Sequence, residues 1–155
     1  MIIESAQLLS TAHRILDGSP VSTINTKTGK PRKHLKLSDP RADAILYKPT
    51  HVNHPCAVWA RESQENYYTL YNLFTELLYE YNVRYGRKHK TADLSLALSQ
   101  APINLTKYGR TEPPLCMPDQ YKVPSDPVQS YRNYYRQGKS HIAQWRFRKT
   151  PEWYS

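Results

Sequence analysis

The sequence is poor in glycine and phenylalanine, with 5 and 2 of these residues among 155. None of the glycines forms a glycine-rich phosphate loop, and no Gly-x-Ser-x-Gly motif occurs. Enzymes that depend on those loops are therefore excluded. Any chemistry must come from side chains such as Glu4, His13 and His54, or from an amine.

Long apolar runs are also absent, since none approaches the ~20 residues of a membrane-spanning helix. The first residues carry neither the basic region nor the cleavage site of a signal peptide. We therefore expect a cytoplasmic protein with no membrane-spanning segment. Only 2 cysteines occur, Cys56 and Cys116, and in that compartment buried thiols are expected rather than a disulfide.

Positive charge and tyrosine are abundant. The 22 Lys and Arg against 13 Asp and Glu give a formal charge of +9, and there are 13 tyrosines and 3 tryptophans. This excess favours a polyanionic partner, nucleic acid first and an anionic membrane second. The length fits one domain, 1–155, with a single core.

Apolar spacing predicts a mainly α, single-domain fold around one long tyrosine-rich helix, with long ordered loops. A first helix is expected from Ile2 to Leu16. Helical structure is expected again from Pro55, with Asn53 as its cap, and Gly86 should end it. The long helix has an apolar face with three- and four-residue spacing: Tyr67, Leu70, Tyr71, Phe74, Leu77, Leu78, Tyr81 and Tyr85.

Shorter elements are expected between and after these helices. A loop follows the first helix, with a strand pair around "TKTGK" and a dense basic cluster that is either solvated or a phosphate-contacting arm. Thr91 should cap a short helix through Ser99. A proline-rich ordered loop then leads to Asp126-Pro127, which should begin a helix that ends at Gly138. A last helix is expected over 140–147.

The stretch "HVNHPC" places His51, His54 and Cys56 within six residues. A structural zinc site usually needs four ligands in paired spacing, and no second pair is visible in the sequence. We therefore predict hydrogen-bonding histidines, no metal and no cofactor.

Basic and aromatic residues alternate in "YRNYYRQGK". On an α-helix Arg132, Arg136 and Lys139 would share one face, and Tyr134 and Tyr135 lie beside them. Such a ridge suits a phosphate backbone, and neighbouring aromatic rings can stack on bases. The tail repeats the combination with Arg146, Trp153 and Tyr154. The alternative is an amphipathic helix with a solvated basic side. Because the pattern occurs twice, nucleic acid is the expected partner, and no membrane partner is expected.

Glu4 is the one carboxylate in the first turns of an otherwise apolar helix. Leu8, Thr11 and Ile15 share its face, so partial desolvation is expected, which would favour proton transfer. The alternative is a first-turn glutamate that is stabilised by the helix dipole.

Five stretches carry a family resemblance: "ESAQLLSTAHR", "KPTHVNHPCAVWARESQENYYTLYNLF", "EYNVRYGRKHK", "MPDQYK" and "PVQSYRNYYRQGK". They resemble phage proteins that are usually assigned to the pyrimidine-dimer DNA glycosylases of the endonuclease V type. The resemblance to those phage proteins covers nearly the whole chain. The resemblance to the characterised endonuclease consists of a first-helix glutamate, a long aromatic helix with a basic turn, and a proline followed by Trp-Tyr.

The resemblance implies a small all-α DNA-repair enzyme that works as a monomer in the host cytoplasm. It implies that an α-amine attacks C1′ of the damaged nucleotide to form a Schiff base, and that a glutamate assists glycosidic cleavage and β-elimination. By position Glu4 matches that glutamate, and Trp153 and Tyr154 match the family's aromatic pair. The resemblance also implies double-stranded DNA as the partner, with basic side chains that grip a bent duplex.

One departure concerns the reactive amine. In the family the glutamate lies further inside the chain, after the segment that carries the amine, so we expect an N-terminal element upstream of Met1. Met1 itself offers an α-amine one helical turn from Glu4.

Two other functions stay open. One is a non-catalytic phage module that binds DNA or a nucleoprotein. The other is a different nucleotide-processing enzyme on the same scaffold, using Glu4, Asn53 and His54.

Overall fold

The computed structural model describes residues 1–154 and is mainly helical. The helices and strands, in chain order, are α1 (Ile2–Asp17), β1 (Ser19–Ile24), β2 (Pro31–Lys36), α2 (Pro40–Ile45), α3 (Pro55–Ala60), α4 (Gln64–Tyr85), α5 (Ser95–Leu98) and α6 (Pro127–Asn133). Short 3-10 turns cover Lys90–Leu94, Asp119–Tyr121, Ser140–Ile142 and Glu152–Tyr154, and a π-helical turn covers Tyr134–Gly138. Within residues 1–154 no helix has both the length and the apolar character needed to cross a bilayer.

Helix α1 lies at the centre of the core, where it packs against α3, α4 and the 3-10 turn that precedes α5. Its bounds confirm the predicted first helix. Ala6, Leu9 and Ala12 are fully buried, and the small alanines let neighbouring helices approach closely. Because α1 is held in the core, it fixes the position of Glu4 in its first turn and of His13 towards its other end.

Helix α4 is the predicted long tyrosine helix, but the helical segment expected from Pro55 to Gly86 is divided into α3 and α4. Both ends of α4 follow from local chemistry. Ser63 caps it by accepting a hydrogen bond from the Asn66 N–H, and Gly86 ends it in the left-handed region at φ 62°. Tyr67 and Phe74 on its apolar face are fully buried, but Tyr85 at the far end is 51% exposed. The fully buried residues of the face therefore lie in the first half of the helix, whereas Leu78 in the second half packs against the core while only partly buried.

Histidines cap two elements where other caps were predicted. His54, not Asn53, begins α3, because its Nδ1 accepts the Cys56 N–H at 3.2 Å. His89, not Thr91, caps the 3-10 turn Lys90–Leu94 by accepting the Thr91 N–H at 3.1 Å. In both places the imidazole acts as an acceptor two residues ahead of the N–H, as Asx side chains do.

The strand pair predicted around "TKTGK" is present as the antiparallel hairpin β1–β2. Arg14, fully buried near the end of α1, fastens this hairpin and α2 to the core. Its guanidinium donates to the carbonyls of Leu35, Asp43 and Leu46 and forms an ion pair with the Asp43 carboxylate. The Tyr47 carbonyl accepts from its Nε.

The proline-rich segment is ordered across the core, as predicted. Its backbone binds α3 and α4 through Thr111, whose carbonyl accepts from Trp59 Nε1 at 3.2 Å and whose N–H donates to Asn66 Oδ1 at 3.0 Å. Asp126 then caps α6 by accepting the Gln129 N–H. This path brings Cys116 and α6 back to the N-terminal end of α1 and α3.

The predicted last helix over 140–147 is wrong beyond its first turn. Only Ser140–Ile142 forms a 3-10 turn. Phe147 has φ 58°, which no right-handed helix permits, and Arg84 of α4 binds the Gln144 carbonyl at 3.1 Å. The segment instead follows the surface of α4, where Arg148 pairs with Glu80 at 3.1 Å.

Candidate functional site

The first turn of α1 lies against the segment that follows α6. Tyr135 Oη donates to Met1 Sδ at 3.0 Å, although Met1 is 63% exposed. Glu4 is also exposed and forms no ion pair with any of the residues 1–154. The predicted desolvation of Glu4 is therefore wrong. Leu8 and Thr11 on the same face are buried, but the first turn extends past the edge of the core.

Glu4 nevertheless acts electrostatically on two neighbours. Burial raises the pKa of the Tyr135 hydroxyl, and the charges of Tyr134 and Glu4 add to this against the opposing effect of Lys139. Burial also raises the pKa of the Cys56 thiol to about 12, with smaller contributions from the Cys116 thiol and from Glu4. The carboxylate therefore lies within electrostatic range of both α3 and the segment after α6.

The two cysteines lie side by side. Their Sγ atoms are 3.5 Å apart and the thiols are free. The prediction of buried thiols is wrong for Cys116, which is exposed, whereas Cys56 is half-buried. With His54 they form a cluster whose ligand atoms all lie within 4.8 Å of one another. His51 is outside this cluster and its Nδ1 lies 3.0 Å from the Thr50 hydroxyl.

The predicted basic ridge does not lie on one regular helix. The α-helix ends at Asn133, and the five residues 134–138 form the π-helical turn, so the four- and three-residue spacing no longer aligns the charges. The packing within this turn is close. A Cβ at Gly138 would lie 2.7 Å from the ring of Tyr134, so the backbone approaches that ring as only glycine can.

The three basic side chains of this segment are half-buried rather than freely solvated. The Arg132 guanidinium lies 5.7 Å from the centre of the Trp153 ring, and Lys139 Nζ lies 5.4 Å from the centre of the Tyr134 ring. Arg136 Nε is buried and has no hydrogen-bond acceptor among residues 1–154. Aromatic rings therefore position the charges at this surface.

An apolar groove of about 300 Å³ opens next to Arg132. Tyr131, Tyr135 and Trp153 form part of its walls together with Pro113, Pro127 and Val128. Tyr131 is fixed there by donating to the Pro114 carbonyl at 2.9 Å. The structure therefore joins the aromatic residue Trp153 of the tail to the helix that carries Arg132.

The remaining tail residues are arranged differently. Tyr154 packs against Trp145, with ring centres 4.3 Å apart, and also against Trp153. Arg146 is exposed. The second occurrence of the basic-aromatic pattern is thus an aromatic cluster with one solvated arginine.

One predicted site residue, His13, is not brought to this end of the molecule. His13 is buried in the core, with Nε2 2.9 Å from Tyr67 Oη. It lies nine residues after Glu4, about 13 Å along the axis of α1. Asn53 is exposed in the turn before α3. His54, which follows it, is the residue that joins the cysteine cluster.

A second groove, which has a volume of about 350 Å³ and is lined by basic residues, lies between the hairpin and the segment before α3. Arg32, Lys33 and Lys48 line it. Arg32 and Lys33 are exposed in the hairpin, so the solvated loop and the phosphate-contacting arm both stay open.

Sequence reasoning missed two residues of the site. Cys116 belongs to a proline-rich segment and had no ligand-like neighbour in sequence. Tyr131 was seen only as part of an alternating pattern.

No protein-family model, no curated protein and no solved structure matches this chain.

Proposed function

We propose that this protein binds double-stranded DNA and acts as a glycosylase and AP lyase on UV-damaged, pyrimidine-dimer DNA. One observation carries the proposal. The contact between Tyr135 Oη and Met1 Sδ joins the α1 end that bears Glu4 to the basic and aromatic segment after α6. A reactive carboxylate and a DNA-binding surface would then face the same duplex.

The charge distribution supports binding to DNA. The chain carries a formal charge of +9, and Arg132, Arg136 and Lys139 lie in the segment beside α1. Arginine and lysine contact phosphates without reading sequence. Tyr135 and Trp153 offer ring faces next to Arg132, on which an unstacked base can be held.

The proposed chemistry follows the resemblance. An α-amine, that of Met1 in the chain as printed, attacks C1′ of the damaged nucleotide. The amine bonds to C1′ and loses a proton while the glycosidic bond breaks, and the base leaves with the bonding electron pair. The C1′–O4′ bond of the sugar ring then opens, O4′ takes up a proton, and the C1′–nitrogen double bond of a Schiff base forms. Glu4 assists this cleavage and then removes a proton from C2′, so that the C3′–oxygen bond breaks by β-elimination. Exposure of Glu4 suits a site that the substrate itself covers.

The test is borohydride trapping on DNA that contains an abasic site. Reduction of a Schiff base leaves a stable covalent adduct, and peptide mass spectrometry locates the amine. An adduct that depends on borohydride supports the lyase, most directly when it lies on Met1. The trap is run on the chain as printed and on a form that carries any in-frame upstream residues.

Binding without an adduct in both forms would contradict the lyase and favour the non-catalytic DNA-binding module. The absence of both binding and an adduct would contradict the whole proposal. It would leave the other nucleotide-processing enzyme as the remaining function. The proposal also includes a single domain, a monomer and the host cytoplasm, and sedimentation of the DNA complex tests the stoichiometry.

A further inference from the structure

Three metal-ligating side chains converge from two distant parts of the chain. His54 and Cys56 lie at the start of α3, and Cys116 arrives from the proline-rich segment 60 residues later. The ligand atoms all lie within 4.8 Å of one another, and the two sulfurs are 3.5 Å apart. The sequence predicted no metal because only two of these three ligands are neighbours in sequence.

The sulfur spacing fits tetrahedral coordination. Zinc–sulfur bonds of about 2.3 Å at the tetrahedral angle place two thiolate sulfurs about 3.8 Å apart. The observed 3.5 Å is within a few tenths of an ångström of that value. A metal ion between the sulfurs would also be within reach of the His54 ring after a side-chain rotation.

The chemistry of the ligands selects the kind of ion. Two thiolates and one imidazole favour zinc and other thiophilic ions over magnesium or calcium, which prefer oxygen. Metal binding would break one weak hydrogen bond, in which His54 Nδ1 accepts the Cys56 N–H at 3.2 Å. A neutral imidazole has one free lone pair, so this hydrogen bond is lost whichever ring nitrogen binds the metal.

We propose that His54, Cys56 and Cys116 form a three-ligand site for Zn²⁺ or a similarly thiophilic divalent ion, with the fourth position open to water. Cys116 is exposed, which gives the ion a path from solvent. The bound ion would fasten the proline-rich segment to the start of α3. This inference is independent of the proposed lyase, since it concerns the protein without DNA.

The experiment uses Co²⁺ as a spectroscopic substitute, added to the reduced, chelator-free protein, followed by displacement with Zn²⁺. We expect visible d–d bands of tetrahedral cobalt, a near-ultraviolet sulfur-to-cobalt charge-transfer band, and loss of both when Zn²⁺ is added. Cys116→Ser and His54→Asn should each weaken the affinity for Co²⁺ by more than about 100-fold. Loss of a residue that only supports a metal ligand weakens affinity by at most about that factor. Asparagine at position 54 retains an N-cap acceptor for α3.

His51→Asn is the matched control. It removes a nearby imidazole that lies outside the cluster, and asparagine tolerates the φ of 50° found there. This variant should bind Co²⁺ as tightly as the unmodified chain. Zn²⁺ should also raise the thermal midpoint of the unmodified chain but not that of Cys116→Ser.

Three results would overturn the site. One is the absence of a charge-transfer band while both thiols react as free thiols. Another is a band that survives in Cys116→Ser. The third is a Cys56–Cys116 disulfide that persists under reductant, because oxidised sulfurs cannot serve as thiolate ligands. None of these results bears on borohydride trapping, so the two proposals fail separately.

Discussion

At the scale of single residues, Arg14 illustrates what the sequence could not predict. In sequence it is a basic residue near the end of a helix, where the dipole favours a cation on the surface. In the fold it is fully buried, because the hairpin and α2 close over it. That burial depends on residues 21 and 32 positions away, which no local pattern reports.

Replacing Arg14 by Met should destabilise the fold by about 3–5 kcal/mol, since the Asp43 carboxylate and several carbonyls lose their donor together. Arg61→Met is the control, because Arg61 donates only to the Ala57 carbonyl and should cost about 1 kcal/mol. Urea unfolding of both variants measures the difference. Equal losses would contradict the role given to Arg14.

His13 should make stability depend on pH. Burial lowers its pKa from the ordinary 6.5, so it stays neutral in the fold while the unfolded chain takes up a proton below pH 6.5. Its contribution is fully present above pH 6.5 and is lost as pH falls from there through the lowered folded pKa. His13→Gln should remove this part of the pH dependence. Urea unfolding midpoints measured above and below pH 6.5 test this prediction. A variant whose midpoint depends on pH as steeply as that of the unmodified chain would contradict it.

At the scale of elements, the sequence predicted those whose ends follow local rules. The first helix is confirmed because its apolar spacing places Ala6, Leu9 and Ala12 in the core. The end of α4 at Gly86 and the start of α6 at Asp126-Pro127 are confirmed because these residues cap helices in the usual way. The caps at His54 and His89 were missed, since histidine is not among the usual cap residues. The π-helical turn Tyr134–Gly138 was missed because the three- and four-residue spacing of the basic residues there predicts an α-helix.

Gly86 offers the element-scale test. Its φ of 62° is left-handed, so Gly86→Ala should destabilise the protein by about 1–2 kcal/mol through steric conflict. Gly86→Asn should cost less, because asparagine is tolerated at this helix-end position. Thermal unfolding of the two variants gives the comparison. An alanine variant as stable as the asparagine variant would show that the left-handed end contributes little.

At the scale of the whole molecule, the candidate site could be predicted only in part. Glu4 and the basic-aromatic segment were identified from their residue types and spacing. Their proximity depends on the path of the proline-rich segment and on Tyr135 reaching Met1, which are long-range packing results. The same path brings Cys116 to His54, so the metal-ligating cluster was also invisible in the sequence.

DNA binding should be electrostatic and should involve the segment after α6. The logarithm of affinity should fall with the logarithm of salt concentration at about −0.9 per contacted phosphate, and Arg136→Ala should flatten that slope by about one unit. Lys88→Ala removes one charge from a residue that is already paired with Asp93 and serves as the charge-matched control. If the two variants have the same slope as the unmodified chain, the segment is not a phosphate contact.

The most direct test of the central claim is the rate of strand cleavage by Glu4→Gln on lesion-bearing DNA. Glutamine keeps the volume and removes the charge, and the lost helix-dipole interaction costs only about 0.3–1 kcal/mol, so folding should survive. Cleavage should fall by about 10²–10⁴-fold, the usual contribution of a positioned acid–base group, while DNA affinity stays within a few-fold. A form that cleaves such DNA equally well with glutamate or glutamine at position 4 would contradict the role of Glu4.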